Sequence, residues 1–111
     1  MKGSEVIANI LKAEGVEMLT CFPHSSIIDS AAALGIRPVV ARTERVAVNI
    51  ADGYTRMTGG RKIGVCTVQF GPGVENSFGA VAQAFGDSTP ILHLAGGYRR
   101  HYVGVCPNFE S

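Results

Sequence analysis

This sequence is short of charge. Only 17% of its 111 residues are Asp, Glu, Lys or Arg, against roughly a quarter in ordinary soluble domains. The net charge of +1 removes the electrostatic footprint that nucleic-acid or anionic-membrane binding needs. No apolar run is long enough to span a bilayer, and Met1-Lys2-Gly3-Ser4-Glu5 lacks the apolar core of a secretory signal. Cys21, Cys66 and Cys106 form no CxxC pair, so neither a disulfide framework nor a metal ligand set is expected. Cys21 and Cys66 lie in apolar runs, where a thiol acts as a small hydrophobe, which suits a reducing compartment. Repeats, low-complexity tracts and linkers are also absent. What is plentiful is apolar residue, at 46%. The expectation is one compact, soluble, cytoplasmic domain with part of its surface meant for a partner.

Helix and strand signals alternate along the chain. Ser4 reads as the N-cap of a first helix, with Glu5 in its first turn, Val6, Ile7, Ile10 and Leu11 at helical spacing, and Gly15 as its stop. Met18 to Phe22 is a short buried strand. The loop Pro23-His24-Ser25-Ser26 leads to a short helix over about 27–34, ended by Gly35. Pro38 to Ala41 is a second strand and about 44–58 a helix. Ile63 to Val68 is a third strand. Gly71-Pro72-Gly73 opens a helix carrying Val74, Phe78, Val81, Ala82 and Phe85 on one side and stopped at Gly86; Ile91 to Ala95 is a fourth strand. The strands are continuous apolar runs, the mark of a mainly parallel sheet with helices on both faces: an α/β three-layer sandwich. Ligands bind such sheets at the carboxyl ends of the strands. Three loops lie there: Pro23 to Ser26, Arg42 to Arg45 and Gln69 to Gly73.

Several residues at that edge could carry chemistry, each with a plainer alternative. Glu44 can stabilise its helix through the dipole, an effect of about 0.3–1 kcal/mol, or can be a functional carboxylate; position alone leaves both open. Gly71 to Gly73 can cradle a phosphate on backbone N–H groups or simply turn tightly, and it lacks the lysine and spacing of a P-loop. His93, inside an apolar strand, reads as a core histidine. His24 sits in a loop at the active edge. Arg99 and Arg100, beside Tyr98, His101 and Tyr102, read as solvated surface. Ser25 and Ser26 lack the strained elbow of a hydrolase serine.

The ordered series "EGVEMLTCF", "RTERVAVNIADGYTRMTGG", "VQFGPGVENSFGAVAQAFGDSTPILHLAGG" and "NFES" resembles the N-terminal, pyrimidine-binding domain of thiamine-diphosphate-dependent enzymes. The acetolactate synthase and benzoylformate decarboxylase branch is the nearest group. Glu44, Ala51-Asp52-Gly53-Tyr54, Gly71-Pro72-Gly73 and Asn76 carry the resemblance, which covers essentially the whole chain. It implies that Glu44 is catalytic: the family's matching glutamate shares a proton with a ring nitrogen of the cofactor's aminopyrimidine. That favours the imino tautomer, whose nitrogen takes the proton from the thiazolium C2. A carboxylate in this role must be able to hold a proton, which burial assists. The resemblance also implies cofactor contacts from Glu44, Gly71, Pro72, Gly73 and Asn76. It puts Pro23, His24, Ser25 and Ser26 on the substrate side, and has Ala47, Ala51 and Gly53 thin the helix for a subunit interface.

The chain departs from the family in Phe22-Pro23-His24-Ser25-Ser26, usually glycine-rich. It has Thr43 where a histidine is common, Arg45 for the usual glutamine, and Ile27 where some decarboxylases carry a polar residue. The family's second domain holds the diphosphate and Mg²⁺ through Gly-Asp-Gly and a pair of asparagines, and Gly86-Asp87-Ser88 is not that motif. Residues 1–111 therefore read as most of a single pyrimidine-binding domain, apparently cut at its C-terminal end. Mg²⁺ and the diphosphate would be bound by a partner domain or subunit, in a homo- or hetero-oligomer, and the isolated chain would be inactive. The implied function is a component of a lyase or transferase acting on a 2-oxo acid by decarboxylation or carboligation. The rivals are a non-catalytic assembly or regulatory paralogue and a flavodoxin-like module gripping a phosphate at Gly71 to Gly73.

Overall fold

The computed structural model describes residues 1–23, 25–97 and 104. Its elements alternate: α1 (Gly3–Ala13), β1 (Met18–Cys21), α2 (Ser26–Ala33), β2 (Arg37–Val40), α3 (Glu44–Met57), β3 (Gly64–Val68), α4 (Pro72–Gly86) and β4 (Ile91–Ala95). The strands form one sheet in the order β2-β1-β3-β4, with every pairing parallel. The expected α/β sandwich is thus the fold. His24, Arg99, Arg100 and the Asn108 to Ser111 element lie outside the described residues.

Successive strand side chains face opposite layers. Leu19 and Val65 join Ala8 and Leu11 of α1 and Ile27 and Ala31 of α2 in one core. Cys66 packs with Val48 and Ala51 of α3 and Ala80 of α4, and Val68 with Ala47, on the other face. Chain order runs from β1 out to β2, then back across to β3 and β4. That reversal puts the topological switch point between β1 and β3, where open α/β sheets bind ligands.

All four helices end the same way. The amide two residues past the C-cap reaches back to a carbonyl in the last turn: Val16 to Leu11, Ile36 to Ala31, Gly60 to Thr55 and Thr89 to Ala84, at 2.8–3.0 Å. The residue between them takes positive φ, at Gly15, Gly35 and Gly59, but at Ser88 (φ 54°) in α4. Gly86 is therefore the last helical residue, and Ser88 supplies the left-handed turn.

Three further local expectations change. α1 begins at Gly3 with Lys2 as its N-cap, so Ser4 is already helical. Glu5 accepts a bond from the Lys2 amide at 2.7 Å, and Ser4 accepts one from Ser30 of α2. Of the apolar series on α1 only Leu11 is buried, with Ala8; Val6, Ile7 and Ile10 are exposed. On α4 the buried face is Gly73, Ser77, Ala80 and Ala84, while Phe78 and Phe85 are 60% and 85% exposed. Close approach of a helix to a sheet selects small residues at the contact, so the two phenylalanines are left outside while Val74 and Val81 pack at the edge of the core.

The small residues of α3 follow the same logic. Ala47 and Ala51 are fully buried within this chain, so they thin α3 against its own sheet instead of at a subunit interface. Only Gly53 opens on free space. A Cβ at Gly64 would run into the backbone carbonyl of Ala51. Thr55 ties the same contact, receiving the Gly64 amide at 2.8 Å and donating to the Pro90 carbonyl at 2.9 Å. Thr20 of β1 donates to the Ala47 carbonyl at 2.7 Å. α3 is thereby locked over β1 and β3, with its first residue, Glu44, at the switch point.

Candidate functional site

Thr43 is the N-cap of α3; its hydroxyl accepts from the Val46 amide at 3.3 Å. The residue standing where relatives often have histidine thus has a local task, satisfying one of the helix's orphan donors. Glu44 follows as the first helical residue and is 8% exposed. Neither neighbouring arginine pairs with it. Arg42 is exposed, and the Arg45 guanidinium lies along α4, 3.6 Å from where a Cβ on Gly79 would be. Among the described residues the Glu44 carboxylate accepts no hydrogen bond and forms no ion pair.

The glycine loop comes to this carboxylate from the neighbouring strand. Gly71 adopts φ 60°, ψ −119°, a region essentially confined to glycine, and turns the chain from β3 into α4. Pro72 occupies the first helical turn, where a missing N–H costs nothing. Gly73 is buried, and a Cβ there would lie 3.4 Å from both Cγ and Oε1 of Glu44. The loop's other flank is set by Gly96, where a Cβ would lie 3.5 Å from that of Phe70. A side chain at position 73 would therefore meet Glu44 across the switch point. Asn76 stands one turn into α4 and is exposed.

The first loop is only partly free to meet a ligand. Ser25 caps α2, its hydroxyl facing the Ile27 amide at 3.4 Å. Ser26 is the exposed first residue of that helix, and Pro23 is exposed. The Phe22 amide bonds the Thr67 carbonyl and the Ala41 amide the Cys21 carbonyl, so all three loops leave adjoining strands.

Other chemistry-bearing residues have structural roles. His93 is half-buried with Nε2 3.5 Å from the Ser77 hydroxyl, and burial holds it below the usual histidine range. Burial pushes the Cys66 thiol up to about 12 and raises Cys21 as well, so both are inert at neutral pH. The described residues contain no cluster of three or more His, Cys, Asp or Glu able to hold a metal, and no helix long and apolar enough to cross a membrane. A cavity of about 510 Å³, lined by Ile10, Met18, Tyr54, Arg61 and Leu92 among others, lies at the amino ends of the strands, away from Glu44.

One buried acid escaped notice as such. Asp52 is 4% exposed, and both its oxygens accept from Arg56 Nε at 2.9–3.0 Å. Nη2 of the same arginine reaches Asp87 at 2.8 Å, joining α3 to the end of α4. The Asp-x-x-x-Arg spacing could have revealed the pair, since residues four apart are neighbours on a helix.

A doubly wound parallel sheet, a carboxylate at its switch point and a glycine turn against that carboxylate define a cofactor-binding α/β domain. The chain belongs to the family described as thiamine pyrophosphate enzyme, N-terminal TPP binding domain, whose model matches residues 1–110. It is 33% identical over 108 residues to the acetolactate synthase large subunit of Haemophilus influenzae, covering 94% of this chain and 18% of that protein. It is 34% identical to acetolactate synthase isozyme 3 large subunit of Escherichia coli, with the same coverage. Against the chloroplastic acetolactate synthase of Arabidopsis thaliana the identity is 33%, over 94% of this chain and 16% of the relative. The chain thus spans less than a fifth of these relatives' length. Its fold matches benzoylformate decarboxylase from Polynucleobacter necessarius with a TM-score of 0.82 at 24% identity, over 99% of this chain and 21% of that one. Thiamine diphosphate is the cofactor the family implies.

Proposed function

We propose that this domain supplies the glutamate that activates thiamine diphosphate in an enzyme acting on a 2-oxo acid, by decarboxylation or carboligation. The observation that carries the reading is the Glu44 carboxylate: nearly enclosed, at the switch point, and without a partner among the described residues. Among the described residues the one buried side-chain polar atom without a partner is Asn49 Oδ1; the Glu44 oxygens keep an opening to solvent, and that opening admits a donor from outside the domain. A ring nitrogen of an aminopyrimidine is such a donor when protonated and an acceptor when Glu44 holds the proton. The donor set therefore fits the group.

Thiamine diphosphate, when bound, supplies the nucleophilic carbon and the electron sink for 2-oxo acid chemistry. Glu44 holds and shares one proton at the pyrimidine ring nitrogen. Gly71, Pro72 and Gly73 keep the β3–α4 turn compact beside it, and Asn76 borders the pocket from α4. Pro23, Ser25 and Ser26 line the substrate side. A second domain or subunit binds Mg²⁺ and the diphosphate in an oligomeric enzyme, and residues 1–111 alone do not turn over. The names of the relatives, acetolactate synthase and benzoylformate decarboxylase, support the 2-oxo acid class.

Glu44→Gln in the enzyme that carries this domain tests the reading. Proton exchange at C2 of the bound cofactor, followed by NMR after acid quench, should slow by about 10²–10⁴-fold, with the fold intact by circular dichroism. An unchanged exchange rate would remove Glu44 from the mechanism. Unchanged turnover as well would leave an assembly or regulatory role for the domain.

A further inference from the structure

We propose that β4 is an interior strand of the complete sheet: polypeptide that follows residue 111 in the longer enzyme pairs with its open edge, and the helix leading to that strand covers Phe78 and Phe85. This goes beyond the role given to Glu44 and does not depend on it. Among the described residues the outer strands of the sheet are β2 and β4, and their free edges differ. The Arg37 and Ala41 amides bond the Glu17 and Cys21 carbonyls at 2.9 and 2.8 Å, so by alternation Pro38 and Val40 turn their backbone groups outward. A proline at that place offers no N–H, which blunts the edge against pairing.

β4 carries no such device. The Phe22 amide bonds the Thr67 carbonyl, so the backbone of Thr67 faces β1, and that of Cys66 and Val68 faces β4. With Cys66 opposite His93, parallel pairing takes those bonds to Leu92 and Leu94. Ile91, His93 and Ala95 therefore turn their N–H and C=O groups outward, in a strand with neither proline nor formal charge. An unprotected apolar edge is a template for another strand. The layers beside it are bare as well. Phe78 and Phe85 flank Val81 at helical spacing and share its side of α4; Val81 packs against the core, while both phenylalanines are exposed. On the other face Leu92 is exposed. Length and handedness set the occupant. The chain spans less than a fifth of the acetolactate synthases, so most of such an enzyme lies outside it. The connections β2 to β3 and β3 to β4 cross the sheet in one direction, with α3 and α4 on one face. A further right-handed crossover in that direction puts its helix on the same face, beside α4, where the two phenylalanines wait uncovered.

The enzyme carrying the domain tests this. Amide hydrogen exchange, resolved residue by residue with electron-transfer fragmentation, should find His93 and Ala95 protected to within about tenfold of Leu92 and Leu94. Exchange at His93 and Ala95 faster by about 100-fold or more would leave the edge open and overturn the proposal. A photo-crosslinker, p-benzoylphenylalanine in place of Phe85, identifies the cover. In enzyme assembled from mixed ¹⁴N- and ¹⁵N-labelled chains, irradiation should join it to a peptide of its own chain, within about 100 residues past Ser111. A product of mixed isotopes would make another copy the cover and would overturn the proposal, as would a folded enzyme that gives no crosslink. Phe85→Lys should lower Tm by about 4 °C or more, against less than about 2 °C for a side chain left in water. None of these readouts involves C2 proton exchange, so this proposal and the reading of Glu44 fail separately.

Discussion

Two carboxylates on α3 are almost equally buried and do opposite work. Asp52, 4% exposed, shares both oxygens with Arg56; Glu44, 8% exposed, has no partner among the described residues. Asp52 points along the α3–α4 seam, where Arg56 continues to Asp87. Hydrogen bonds donated to the Asp52 and Asp87 carboxylates raise the Arg56 guanidinium above its ordinary value. Glu44 faces the switch point, where the domain provides space beside Gly73 and no donor. Burial alone therefore does not mark a functional acid. What separates the two acids is the partner: Asp52 has Arg56 within the domain, and Glu44 has none among the described residues.

The comparison can be broken from either side. The largest effect is expected at Glu44→Gln: C2 exchange slower by about 10²–10⁴-fold, yet a thermal midpoint within about 3 °C of the parent, since only a modest dipole interaction is lost. Asp52→Asn should invert the pattern, lowering Tm on the order of 5–10 °C while exchange in the folded enzyme stays within threefold. Calorimetry and quench-flow NMR on the same two samples decide this, and matching profiles for the two variants would erase the distinction. Arg56→Met should fall on the Asp52 side, because it leaves that acid buried and unpaired.

Smaller effects test the surroundings. Burial depresses His93 in the folded chain below the unfolded value of about 6.5. The unfolded chain then binds more protons, so the histidine's contribution is complete above about pH 6.5 and is lost as pH falls through the folded value. Urea midpoints at pH 7.5 and 5.5 should differ less in His93→Gln than in the parent. The smallest change is expected at Ser88→Gly, which relieves a left-handed residue at φ 54° and should stabilise by on the order of 1 kcal/mol in urea unfolding.

Most of the fold was legible because its signals are local. Continuous apolar strands, glycines after helices and a Gly-Pro-Gly turn each report a backbone preference, and element boundaries moved by only one or two residues. The faces of α1 and α4 were not legible. Periodicity shows which residues share a side, but which side is covered depends on the helix–sheet distance. Here Ala80, Ser77 and Gly73 permit an approach that Phe78 and Phe85 would block.

What the sequence by itself determined is the alternation of helix and strand, the parallel sheet, and the presence of an acid at a carboxyl-end loop. Those follow from hydrophobic pattern and turn chemistry within a few residues of each site. Only the tertiary structure decided that Glu44 would be enclosed and unpaired while Asp52, eight residues on, would be paired with Arg56. It also decided that Gly73 would stand against the first of these acids. Whether a buried charge is satisfied depends on groups brought from other elements, and those distances are set by packing, not by spacing along the chain.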